Sequence, residues 1–166
     1  MISRLLLACA AVVCSLPAAA TDRTTINSLV AQHARTYGVP EALVHRVITR
    51  ESNYNPRALS KGNFGLMQIR YATARGMGYR GSPSGLLDAN TNLTYAVPYL
   101  ANAYKVAGGN ADRAVALYAG GYYYVAKRKG MLHALGTAVA DPVSTGSISA
   151  TGGALRSPAF TSANAQ

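Results

Sequence analysis

Carboxylates are scarce in this chain. It carries six Asp and Glu in 166 residues against 16 Lys and Arg, a formal charge of +10. The acid-base inventory is nearly closed before any motif is sought: Asp22, Glu41, Glu51, Asp88, Asp112 and Asp141. Charged residues make up only 13% and apolar ones 49%, which excludes an acidic disordered chain and leaves material for one packed domain. Tryptophan is absent, and both cysteines, Cys9 and Cys14, lie near the N-terminus. Beyond them the chain has neither a disulfide nor a thiol nucleophile. His33, His45 and His133 lack metal-ligand spacing, so no metal or other cofactor is expected.

The one long apolar run is Leu5–Leu16, too short to span a bilayer permanently. It follows a cationic start at Arg4 and precedes Ala18-Ala19-Ala20, the small-x-small pattern that signal peptidase reads. Residues 1–20 therefore read as a cleaved export signal rather than a buried helix. Cys9 has too short a leader for lipid attachment, and Cys14 follows Val13 where a small residue is expected, so no stable membrane anchor is expected. Cleavage after Ala20 removes 20 of the 166 residues and Arg4, leaving 146 residues at +9. The expected location is the periplasm.

The mature chain divides into a helical domain, 21–136, and a tail. Thr24 or Thr25 caps a helix carrying Ile26, Leu29, Val30 and Tyr37, stopped by Gly38. Pro40 suits the first position of a second helix with the stripe Leu43, Val44, Val47, Ile48, ended by Asn55-Pro56. Gly62–Gly65 is a loop leading into a short helix at Leu66–Ile69, and Arg75–Gly85 is loop. Asn90 or Thr91 caps a helix through Tyr104 that Pro98 should kink. Asn110 caps another through Tyr118, and a last one covers Tyr123–Leu135. No strand-like alternation of useful length is present. Of the 30 residues in 137–166, 21 are Ala, Gly, Ser, Thr or Pro with no apolar period, which predicts a disordered tail.

Glu51 is the residue to explain. It continues the face of Val44, Val47 and Ile48, so a core-facing stripe ends in a carboxylate. Arg50 and Arg57 flank it and offer a simple salt bridge. A carboxyl held against apolar groups, however, has a raised pKa, which a general acid requires at neutral pH.

The surrounding residues decide between these readings. Glu51-Ser52, then Pro56-Arg57-Ala58-Leu59-Ser60, then Gly65-Leu66-Met67-Gln68, resembles the soluble-lytic (SLT, family 1) lytic transglycosylases, whose catalytic domain is similar to goose-type lysozyme. Asp88 and Asn92 followed by Tyr99-Leu100 looks like a third element of that family, and Ala116–Gly121 looks like its Ala-x-Tyr-Asn-Ala-Gly. The resemblance spans Val39 to Lys129. Three departures stand out: one residue fewer between Ser60 and Gly65, Ala96 where a packing glycine is common, and Ala119 in place of Asn.

The resemblance implies a mainly α, lysozyme-like domain with a single active-site cleft. It also implies cleavage of the β-1,4 bond between N-acetylmuramic acid and N-acetylglucosamine in peptidoglycan, by one carboxylate. Glu51 is then the catalytic acid and base. Glu41 sits near a helix N-terminus, where the dipole alone favours it, and Asp88 and Asp112 read as capping or surface residues. Ser60 and Gln68 are the expected polar contacts to substrate. Met67 either shapes the floor or fills the core, and Tyr118 either hydrogen-bonds near Glu51 or is a buried tyrosine satisfied by backbone, the former being favoured by the resemblance. Tyr122–Tyr124 fits a cleft wall and a packed aromatic face equally.

Three competing functions remain at this stage. A hydrolase on the same fold differs only in whether water attacks. A non-catalytic cationic module would use its +9 charge on anionic stem peptides. Nucleic-acid binding through Lys127-Arg128-Lys129 is not expected, because the chain reads as exported and has no recognition motif. The expected partners are glycan strands of the wall and a secretion or envelope-spanning machine.

Overall fold

Apolar residues recur at helical spacing along most of the chain, and the computed structural model, which describes residues 23–135, is mainly helical. The expected signal sequence and tail lie outside the described residues. Helix α1, Arg23–Tyr37, buries Ile26, Val30 and Ala34. Helix α2, Glu41–Ser52, buries Leu43, Val44, Val47 and Ile48. Helix α4, Ala89–Val106, is the central element: ten of its 18 residues are buried, and it packs on both α1 and α5, Ala111–Gly120. Ala96 and Ala103 are fully buried there, small enough for neighbouring helices to approach closely. The helix continues through Pro98 to Val106.

Local signals set most boundaries. Asn110 caps α5 by accepting from the Arg113 N–H at 2.9 Å, as expected from its side chain. Asp88, not Asn90 or Thr91, caps α4, accepting from the Thr91 N–H at 2.8 Å. Pro40 stands just outside α2 as its N-cap, one residue earlier than expected. The same helix ends at Ser52, before Asn55-Pro56, because Asn53 and Tyr54 both take left-handed backbone with φ of 48° and 66°.

Three further expectations are corrected. Leu66–Ile69 is not a helix: Leu66–Gln68 form a tight turn and Ile69 opens the strand that follows it. Strands β1 (Leu59–Ser60), β2 (Asn63–Phe64) and β3 (Ile69–Arg70) form an antiparallel sheet, with Leu59 opposite Phe64 and Asn63 opposite Arg70. Gly65 and Gln68, with φ of 69° and 48°, cannot sit in a right-handed helix. Arg75–Gly85 is only partly loop: helix α3, Tyr71–Gly76, overlaps its start and a 3₁₀ turn, Pro83–Leu87, overlaps its end. The final segment also divides, into α6, Tyr123–Arg128, and a 3₁₀ turn at Leu132–Ala134, separated by Gly130 at φ 66°.

Candidate active site

The site begins with the apolar stripe of α2. Val44, Val47 and Ile48 are sealed in the core, and the next residue on that face is Glu51, in the helix's last turn. Its side chain is 24% exposed. Partial burial raises the Glu51 pKa above the ordinary value of 4.5, and the positive charge of Arg50 opposes the rise, its Nε lying 3.7 Å from Oε1.

The end of α2 is tied down on both sides. Ser52 Oγ donates to the Leu66 carbonyl at 2.7 Å, joining the helix terminus to the turn between β2 and β3. Tyr54 is held in its unusual backbone by a 2.6 Å hydrogen bond between its hydroxyl and His45 Nδ1, and the Arg23 guanidinium lies 3.2 Å from its ring centroid. Glu51 therefore projects from a terminus with little freedom to shift.

The facing turn is organised from α4 and α5. Asn92 is fully buried and uses its whole amide: Oδ1 accepts from the Met67 N–H at 2.9 Å, and Nδ2 donates to the carbonyls of Phe64 and Leu86 at 2.8 and 2.9 Å. Tyr118 Oη donates to the Met67 carbonyl at 2.7 Å. Both backbone polar groups of Met67 are thus held by side chains from two different helices. Gly65 lies directly against Asn92 and the Leu86 carbonyl, and a Cβ there would overlap both.

Glu51 opens into a cleft of about 290 Å³. One wall is Asn63, Gln68, Ile69, Arg70 and Thr73 from the small sheet and α3. The other is Tyr99 of α4 with Tyr118–Gly121 at the end of α5. Among the described residues, Glu51 is the only carboxylate lining it. Glu41 pairs with His45 at 3.4 Å and Asp112 with Arg46 at 2.6 Å, both elsewhere on the surface.

The other expected site residues divide. Gln68 lines the cleft, but its Nε2 donates to the carbonyls of Ala58 and Gly65 at 3.0 Å each, so its amide nitrogen braces the sheet and only Oε1 is left to face a ligand. Of the two alternatives for Met67, the structure favours the core one: its side chain is fully buried beneath the turn. Ser60 is exposed on β1 and is not among the residues lining this cleft, whereas its cross-strand partner Asn63 is. Tyr118 lines the cleft, but its hydroxyl bonds the Met67 backbone rather than Glu51, so the alternative favoured by the resemblance gives way to the backbone-satisfied one. Burial, together with the nearby Glu51 and Tyr99, drives the Tyr118 pKa well up, so it remains a neutral donor.

The three consecutive tyrosines have separate roles. Tyr122 is buried, accepts from Asn102 Nδ2 at 3.3 Å and packs 4.7 Å from the Tyr99 ring, whereas Tyr124 is exposed. Tyr99 also packs edge-on against Tyr118 at 5.4 Å, so a continuous aromatic layer backs the cleft. Tyr99, Arg70 and Thr73 were not singled out from sequence. Tyr99 lies in a recognised string, but nothing local to Arg70 or Thr73 marks them.

A family model described as the transglycosylase SLT domain matches residues 28–138. The matched span covers Glu51 and every residue of the cleft.

Proposed function

The chain belongs to the transglycosylase SLT domain family, whose members act on peptidoglycan, and from that premise we propose that it is a lytic transglycosylase in which Glu51 is the sole catalytic carboxylate. The observation that carries this reading is the position of Glu51: partly shielded, raised in pKa, and alone among carboxylates lining the cleft. A protonated carboxyl at neutral pH is the state a general acid needs.

In the proposed reaction Glu51 donates its proton to the glycosidic oxygen between N-acetylmuramic acid and N-acetylglucosamine as the C1–O bond breaks. The N-acetyl group of the muramoyl sugar stabilises the positive charge that develops at C1, so no protein nucleophile is needed. The Glu51 carboxylate then takes the proton of the muramoyl 6-hydroxyl, whose oxygen closes on C1. The products are a free 4-hydroxyl and a 1,6-anhydro ring, with no net water consumed and Glu51 protonated again. Oε1 of Gln68 is the proposed polar contact on one wall, and Tyr118 is a positioning residue acting through Met67. The leader pattern of residues 1–20 supports a periplasmic setting, where the enzyme would remodel the wall locally for a secretion or envelope-spanning machine.

The test is digestion of purified sacculi with products weighed. Anhydro-muropeptides, lighter by one water than hydrolysis products, are expected. Reducing-end muramic acid as the main product would move the assignment to a hydrolase. No cleavage at all would favour a cationic binding module.

A further inference from the structure

One group of cleft side chains has no part in the proton transfers above. Arg70 at the end of β3, Thr73 on α3 and Tyr99 on α4 line the same cleft as Glu51. Arg70 is exposed there, and among the described residues it has no ion-pair partner. The carboxylates that do form pairs are taken by other side chains: Glu41 by His45, Asp112 by Arg46, and Glu51 by Arg50. The Tyr99 ring is clamped between Tyr118 and Tyr122, which fixes the direction of its hydroxyl. Among the described residues neither that hydroxyl nor that of Thr73 is engaged by a protein acceptor.

The cleft thus presents a guanidinium and a hydroxyl on one wall and a second hydroxyl on the other, with no ion-pair or acceptor partner for them among the described residues. A guanidinium fork matches a carboxylate with two parallel hydrogen bonds, and such charge-assisted bonds are roughly twice as strong as neutral ones. A neutral sugar hydroxyl would leave that advantage unused. We propose that Arg70, with the hydroxyl of Thr73 on the same wall and that of Tyr99 on the other, forms a subsite for a carboxylate carried by the glycan, and that Arg70 thereby selects charged wall material over neutral sugar polymer. The inference rests on the reading that the cleft holds a glycan strand. The carboxylate has two chemical sources: the stem peptide, or the lactyl group of muramic acid where the peptide has been removed.

Binding can be measured apart from cleavage in the Glu51→Gln protein, titrated calorimetrically with three tetrasaccharides. One is neutral chitotetraose, one is an alternating N-acetylglucosamine–N-acetylmuramic acid tetrasaccharide bearing stem peptides, and one is the same molecule after an amidase has removed them. Adding Arg70→Gln should weaken a carboxylate-bearing ligand by about ten-fold or more while chitotetraose changes less than about two-fold. A loss confined to the peptide-bearing ligand assigns the stem peptide. A loss confined to the stripped one assigns the lactyl group, and a loss on both assigns either carboxylate. Equal weakening of all three ligands, or no weakening of either charged one, overturns the subsite. Failure of the transglycosylase reading would show separately, as absent or hydrolytic products from wild-type enzyme with the binding contrast intact.

Discussion

Tyr118 on α5 donates its hydroxyl to the Met67 carbonyl at 2.7 Å, so a helix from one wall of the cleft fixes the backbone of the other. Because Met67 directly precedes Gln68, which lines the cleft, the bond helps hold that wall in place without itself touching substrate. Tyr118→Phe keeps the ring against Tyr99 but leaves a buried carbonyl unpaired, and it should cost about 1–3 kcal/mol by chemical denaturation. Activity should fall less than on loss of Glu51. A Tyr118→Phe protein as stable as wild type would mean that the Met67 carbonyl finds another donor.

Glu51→Gln retains size and polarity but removes the proton cycle. General acid-base assistance is worth about 10²–10⁴-fold, and loss of the sole such group should reach or exceed the top of that range in release of soluble muropeptides. Glu41→Gln and Asp88→Asn alter a surface pair and a helix cap, so their rates should stay within a few-fold of wild type. Substantial cleavage by Glu51→Gln would remove it from the mechanism.

Gly65 is the point where the turn meets Asn92. Its φ is 69°, and a Cβ would overlap the Leu86 carbonyl and the Asn92 amide, so Gly65→Ala should cost about 2 kcal/mol or more. Gly62, at φ 79°, has open space around it, and Gly62→Ala bears only the backbone strain of about 1 kcal/mol. Comparing the two melting curves separates conformational strain from collision. Equal shifts would show that both the Asn92 side chain and the Leu86 carbonyl move aside.

What could be read from sequence follows from where each structural cause lies. Helices α1, α2, α4 and α5 bury stripes written at local spacing, so their existence was legible, and so was the carboxylate that ends the stripe of α2. The small sheet was not, because strands of two residues leave no alternation to detect. Its turn is held by Asn92 and Tyr118, far along the chain, and by the left-handed backbone of Gln68, none of which a local pattern encodes. In the hairpin that stands where a helix was expected, Met67 turns to the core while Gln68 next to it faces the cleft.

The titration of Glu51 gives the last prediction, in which stability and activity fall together as pH rises. Its folded pKa is raised above 4.5, chiefly by burial, so the folded protein holds a proton that the unfolded chain loses first. Below pH 4.5 the carboxyl is neutral in both states and carries no charging cost. As pH rises through the raised value, the buried carboxylate ionises and stability declines. Glu51→Gln should therefore melt higher than wild type at pH 7, and the difference should shrink to nothing near pH 4. Cleavage needs the protonated acid, so the alkaline limb of kcat/KM reports the same group. Arg50 holds that pKa down, and Arg50→Gln should carry the alkaline limb to higher pH while leaving the fold intact, since Arg50 is exposed. An unmoved limb would mean that a group other than Glu51 sets the pH profile.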